Sequence, residues 1–233
     1  MSDEAPRPIR TRPRWPWIVA GVVVVIVLLV LILALTGGFT GAQNAARSTG
    51  TPSPRTTATS SANKKPTGCL GGKERDAAMV LAAQKAAPHT SSGAVEFAAA
   101  LVRWTFRSPV AAPVEADEVS KFAIASDASG AFKNLAAQVE DTPNPSGGMV
   151  PDGKPWYLST VPGVWNLESY AGNTATVTIG SAYVVDGALS PTLRASSTFT
   201  LKWENGGWHL LSGEYRRTTQ ELFSIGTPFT GGC

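Results

Sequence analysis

Two cysteines, two histidines and one strand-end glutamate are the side chains whose type and position could do chemistry in this sequence. Cys69 and Cys233 are its only cysteines. Their spacing fits neither a zinc-ligand pair nor a CxxC redox motif. Cys69 stands where a polar stretch ends, and Cys233 is the last residue. Outside the cytoplasm the natural reading is a disulfide that staples the two ends of a domain. Two unrelated free thiols are the alternative. In chain-entropy terms a loop of roughly 160 residues is worth up to about 5 kcal/mol. His89 follows Pro88 in a loop, and His209 sits in a strand. Neither has a second His, Cys or acid at ligand spacing, so both read as structural or surface residues, and no metal or cofactor is expected. GxSxG, Walker A and HExxH do not occur in the sequence, and GCLGGK lacks the strand-to-helix context of a phosphate loop. Glu214 shares strand parity with Trp208 and Leu210 and so could face the apolar interior, where a carboxylate can abstract a proton. The favoured reading is a strand-end carboxylate paired with Arg216 or Arg217, because a buried charge is normally paired.

The remaining candidates are aromatic. Trp104, Trp156, Trp165, Trp203 and Trp208 all fall in the second half or centre of the chain. Trp203 and Trp208 flank an Asn-Gly turn and are placed to stack across a hairpin. Core packing accounts for most of the others. Trp156 and Tyr157, with Trp208 and Glu214, are the candidates for a partner surface or the lining of a cone, since aromatics are enriched at interface hot spots.

These residues must be positioned by two kinds of element. Residues 93–109, GAVEFAAALVRWTFRSP, follow the capping pair Ser91-Ser92. They place Ala94, Phe97, Ala98, Leu101 and Trp104 on one helical face, and the run stops at Ser108-Pro109. A shorter helical piece over 76–87 ends at Pro88. A further one over 115–125 has Val119, Phe122 and Ala123 as its inner face. Phe132, Leu135, Ala136 and Val139 continue the spacing. TPNPSGGMVPDGKP is loop by composition. The period then changes to two. Residues 174–185 and 196–204 alternate as half-buried strands, and 208–215 returns from Glu204-Asn205-Gly206-Gly207, a type I′ hairpin signal. Residues 156–167 read as an earlier strand bent at Pro162-Gly163. Helices first and about four antiparallel strands after is an α+β arrangement, with the Phe97 helix covering the sheet.

The rest of the chain supplies a setting. Residues 18–35, IVAGVVVVIVLLVLILAL, carry no charge and no proline. With Trp15 and Trp17 the run approaches the ~20 residues that span a bilayer, and the tryptophans sit where an interfacial belt would place them. A cleaved signal peptide has a shorter apolar core of ~7–15 residues, so an uncleaved anchor is favoured. Arg7, Arg10, Arg12 and Arg14 precede the run and the next basic residue is Arg47. The positive-inside rule then puts residues 1–17 in the cytoplasm and the C-terminal domain outside. Residues 36–68 are rich in Thr, Ser, Gly, Pro and Ala with one aromatic, Phe39. That composition reads as a disordered tether with a reach on the order of 30 Å as a coil and roughly 110 Å extended. Residues 69–233 hold twelve Lys/Arg against fifteen Asp/Glu, net −3. The basic pI belongs to the tail and tether, and the domain lacks the basic surplus of a nucleic-acid binder.

This layout of basic tail, membrane helix, linker and α+β domain resembles the VirB8/TcpC-like family of bacterial conjugation and type IV secretion proteins, whose domain is a nuclear transport factor 2-like (NTF2-like) cone. The stretches FAAALVRWTF, ENGGWHLLSG and IGTPFTGGC also resemble membrane-anchored actinobacterial proteins of unknown function. The resemblance implies a curved sheet wrapped on a long helix and a non-enzymatic scaffold of an envelope-spanning complex. It also implies partners among other membrane proteins, with room for a homo-oligomer. It carries over no catalytic residue. The competing function is a cell-surface cone that binds or converts a small molecule, with Glu214 as its base.

Overall fold

A computed structural model describes residues 64–233. The expected cytoplasmic tail, the apolar run 18–35 and the tether up to residue 63 lie outside the described residues. Among the described residues, no helix is long and apolar enough to cross a membrane.

Two helices open the domain. α1 (Ala77–Ala86) starts at Asp76, whose side chain accepts from the Met79 amide, and it ends before Pro88. α2 (Ser91–Thr105) starts two residues earlier than the sequence suggests, because Thr90 takes the cap by accepting from Gly93 N. Gly93 is required there: a Cβ would lie 2.0 Å from the Pro88 carbonyl that folds back over the helix start. α2 is the central helix, buried from Phe97 through Trp104. It stops short of the expected 109. Residues Arg107–Ser108 leave it as a short strand, β1, that pairs with Trp156 and Tyr157.

α3 (Pro113–Ala123) buries Ala116, Val119 and Ala123. Phe122, expected on its inner face, is 48% exposed. It sits 100° round from Ala123, beside the buried stripe. The next helical stretch is broken at Asn134 into α4 (Gly130–Lys133) and α5 (Leu135–Asp141), and Asn134 caps the second by accepting from Ala137 N.

The sheet is antiparallel, ordered β1-β2-β3-β4-β5. β2 (Trp156–Tyr170) loses register between Ser159 and Val164, at the expected Pro162-Gly163 bend. β3 (Thr174–Val185) runs to an Asp186-Gly187 turn with both residues at positive φ. β4 (Ala188–Glu204) then returns, eight residues longer at its start than its alternation indicates. Asn205 and Gly206, at φ 50° and 80°, make the expected type I′ turn into β5 (Gly207–Glu214). The chain closes with α6 (Thr219–Ile225) and β6 (Thr227–Pro228), which pairs with β2. The domain is therefore mixed α+β, helices against a curled antiparallel sheet.

β3 corrects the half-buried expectation, since it is buried from Ala175 to Val184. Its inner face, Val177 and Ile179, joins the core with Phe97, Leu101, Phe199 and Leu201. Its other face is covered too. Thr178 bonds Glu168 and Thr198, and Leu222 and Phe223 of α6 press onto Gly180.

Candidate functional site

The concave side of the sheet holds a cavity of about 190 Å³. α2 contributes Leu101 and Trp104, α3 contributes Val119, and β4 and β5 contribute Phe199 and Leu210. All five are buried. α4 and α5 close one side with Phe132, Leu135 and Val139. Thr105, Gln138 and Thr142 make the polar part of the lining, and all three are exposed, so they mark the mouth. Every lining side chain is uncharged. Trp104 is held as a wall because its Nε1 donates to Glu115 at 2.8 Å, and the same carboxylate is gripped by Arg107.

The structure disperses the aromatic and acidic candidates. Trp156 is buried against Tyr183, ring centroids 5.3 Å apart. Tyr157 lies half-buried under the Arg75 guanidinium, 3.8 Å from its ring centre. Trp208 is fully buried, and its Nε1 donates to Pro88 O at 3.0 Å. It meets Trp203 edge-on at 5.3 Å across the Asn-Gly hairpin. Glu214 is exposed and ion-paired with Arg216 at 2.8 Å. The parity that would turn it inward breaks in the middle of β5. Leu210 pairs with Leu201 but Ser212 pairs with Thr200, so Leu211 is an extra residue. Beyond this bulge the inward position is Gly213, set against Phe132 and Phe199, and Glu214 points away.

His89 stacks flat on Trp203, with centroids 4.3 Å apart, and its Nε2 lies 3.1 Å from Gly172 O. His209 is buried with Nδ1 3.0 Å from Gly207 O. Among the described residues no group of three His, Cys, Asp or Glu side chains is placed to hold a metal ion.

Cys69 and Cys233 form a disulfide across 164 residues, with Cα atoms 5.4 Å apart. Two charged residues hold this corner in roles not read from the sequence, where Glu96 is expected only as an acid in the first turn of its helix; the helix begins at Ser91 and has no acid in that turn. Glu96 accepts from Thr67 N at 2.5 Å, from Thr67 Oγ1 at 2.9 Å and from Gly68 N at 3.0 Å. The fully buried Arg103 donates to the carbonyls of Leu70 and Gly72 at 3.2 and 2.9 Å. Burial holds its guanidinium down at about 10. The signal was present, because Glu96 and Arg103 stand seven apart, on one face of an otherwise apolar helix. Their grip, with Thr230 N and Oγ1 donating to Pro66 O, places residues 66–68, expected in the tether, inside the folded domain. On the outer face of the sheet, Arg217 binds Glu168 through Nε at 2.5 Å and Nη2 at 2.6 Å. Arg217, helped by Asn166 and Thr178, holds the Glu168 carboxyl at about 2, well below its ordinary value, although burial opposes the shift.

No known protein family, curated protein or solved structure matches the chain.

Proposed function

We propose that the chain is a membrane-tethered, non-enzymatic contact module. Residues 1–17 lie in the cytoplasm, 18–35 cross the bilayer and 36–65 tether the α+β domain outside the cell membrane. There it assembles with other membrane proteins of an envelope-spanning conjugative transfer or type IV secretion complex. The element order, with a long buried helix under a curled antiparallel sheet, is in keeping with an NTF2-like cone of the VirB8/TcpC-like kind. The observation that carries the non-enzymatic reading is the uncharged lining of the concave cavity. General acid–base or nucleophilic chemistry needs a positioned ionisable side chain in contact with the reacting group. The converting cone would rely on Glu214, which sits on the outer face with Arg216.

Crosslinking in intact cells, followed by identification of the bound proteins, tests the assembly role. Membrane proteins of one transfer or secretion machine are expected. Recovery of no membrane-protein partner across several crosslinker lengths overturns it. Glu214→Gln tests the chemistry: the variant should keep cellular function and lose no more than about 1 kcal/mol of stability, the scale of an exposed ion pair. A folded variant without function would return Glu214 to the role of base.

A further inference from the structure

We propose that the cavity under α2, α3 and α5 is a binding site for a small neutral amphiphile, an apolar ring or short aliphatic chain with one uncharged hydrogen-bonding head. The inference goes beyond the contact role and does not depend on it.

Size and polarity set the body of the guest. A void of about 190 Å³ exceeds the ~150 Å³ at which a cavity lined by Leu, Ile and Phe in another protein stays dry and takes up benzene. Leu101, Val119, Phe199 and Leu210 form the floor and offer water no side-chain partner. Water there would forgo hydrogen bonds, whereas each buried methylene of a guest gains about 0.8 kcal/mol, a factor of about four in affinity.

The mouth sets the head. Thr105, Gln138 and Thr142 can donate to or accept from a hydroxyl, amide or carbonyl. The Gln138 amide nitrogen already donates to Ala131 O at 2.6 Å, which orients its oxygen as an acceptor. Charge at the rim excludes an anion. Glu140 and Asp141 are exposed beside Gln138 and Thr142, at the C-terminal end of α5, where the helix presents carbonyl oxygens. Of the neighbouring cations, Arg107 is paired with Glu115, and the exposed Lys133 is a single charge against the two carboxylates. A carboxylate head would meet like charge, so a fatty acid is a poor guest and the matching alcohol a good one.

The test uses the full chain in lipid nanodiscs with a diazirine-bearing analogue of 1-hexanol, photolysed and mapped by peptide mass spectrometry. Labelling is expected on peptides holding Leu101, Val119, Phe199 or Leu210. It should be competed by 1-hexanol and only weakly by hexanoate. Val139→Trp fills the void and should cut that labelling by about fifteenfold, the effect of withholding roughly two buried methylenes. Ala111→Leu, on another wall, serves if the first variant fails to fold. Labelling confined to residues 18–35, labelling unchanged in a folded filled variant, or equal competition by hexanoate each overturns the proposal.

Discussion

Glu168 shows how much a single carboxylate can hold in this domain. Its side chain is 6% exposed and is chelated by Arg217, which also pairs with Glu221. The Glu168 pair fastens the segment leading into α6 to the outer face of the sheet, and the Glu221 pair ties that segment to the first turn of α6. The folded pKa, about 2, lies below the ordinary value of 4.5. A group shifted in this direction contributes stability that is fully present above its unfolded pKa and is lost as pH falls through the folded one. The melting temperature should therefore drop between pH 4.5 and 2, and Glu168→Gln should flatten that part of the profile while lowering stability at neutral pH. An unchanged acid limb in the variant would show that Glu168 carries none of it. A second residue-scale test concerns Glu96. Glu96→Ala removes acceptors from Thr67 N, Thr67 Oγ1 and Gly68 N. Hydrogen bonds to charged groups contribute about 1.5–3 kcal/mol, and a loss in that range is expected in denaturant unfolding. Hydrogen exchange at the Thr67 and Gly68 amides should accelerate with it.

At the scale of elements, what the sequence made legible was what repeats. α2 showed through five apolar residues at helical spacing, and the β4–β5 hairpin showed through alternation ending on Asn-Gly. The elements that stayed hidden have no period to display. β1 and β6 are two residues each. α6 is seven residues with Leu222 as its one buried side chain. The first half of β4, ALSPTLRA, has Pro191 and a register shift opposite Ala182 and Val184 where alternation would be. The Asp186-Gly187 turn before it was a readable hairpin signal all the same. Glu214 failed for a different reason. A bulge inverts every face beyond it, and nothing in LLSGE marks where the extra residue falls. The cavity was invisible because it lies between elements, with walls drawn from positions more than a hundred residues apart. α6 gives the element-scale prediction. Leu222 is fully buried and contacts the glycine gap at Gly180. Leu222→Ala should cost about 2–5 kcal/mol as a cavity-forming change. Because α6 lies on the outer face, the cavity-site labelling described above should survive in the folded fraction. Loss of both together would mean that the two faces unfold as one unit.

At the scale of the molecule, the place where the chain comes in and its last residues are fastened to each other. Thr230 N donates to Pro66 O at 3.0 Å, Cys233 N donates to Thr160 Oγ1 at 3.1 Å, and the disulfide closes the same corner. Tension along the proposed tether would arrive at Thr67 and Gly68, held by Glu96, and at Cys69, and so would load α2 and the staple before it reached the sheet. Stability and reach should then separate under mutation. Cys233→Ser removes the staple and should lower stability by up to about 5 kcal/mol, read as a lower denaturation midpoint. Deleting residues 36–60 leaves every contact of residues 66–72 in place, and it should shift the melting temperature little. The shortened tether should nevertheless impair function, because linker length sets which partners the domain can reach and its effective concentration at them. Replacing the deleted stretch with a Gly/Ser sequence of equal length should restore activity. Full function in the folded deletion would remove the tether from the proposal, and failure of the Gly/Ser replacement would mean that the segment is read by its sequence and not by its length.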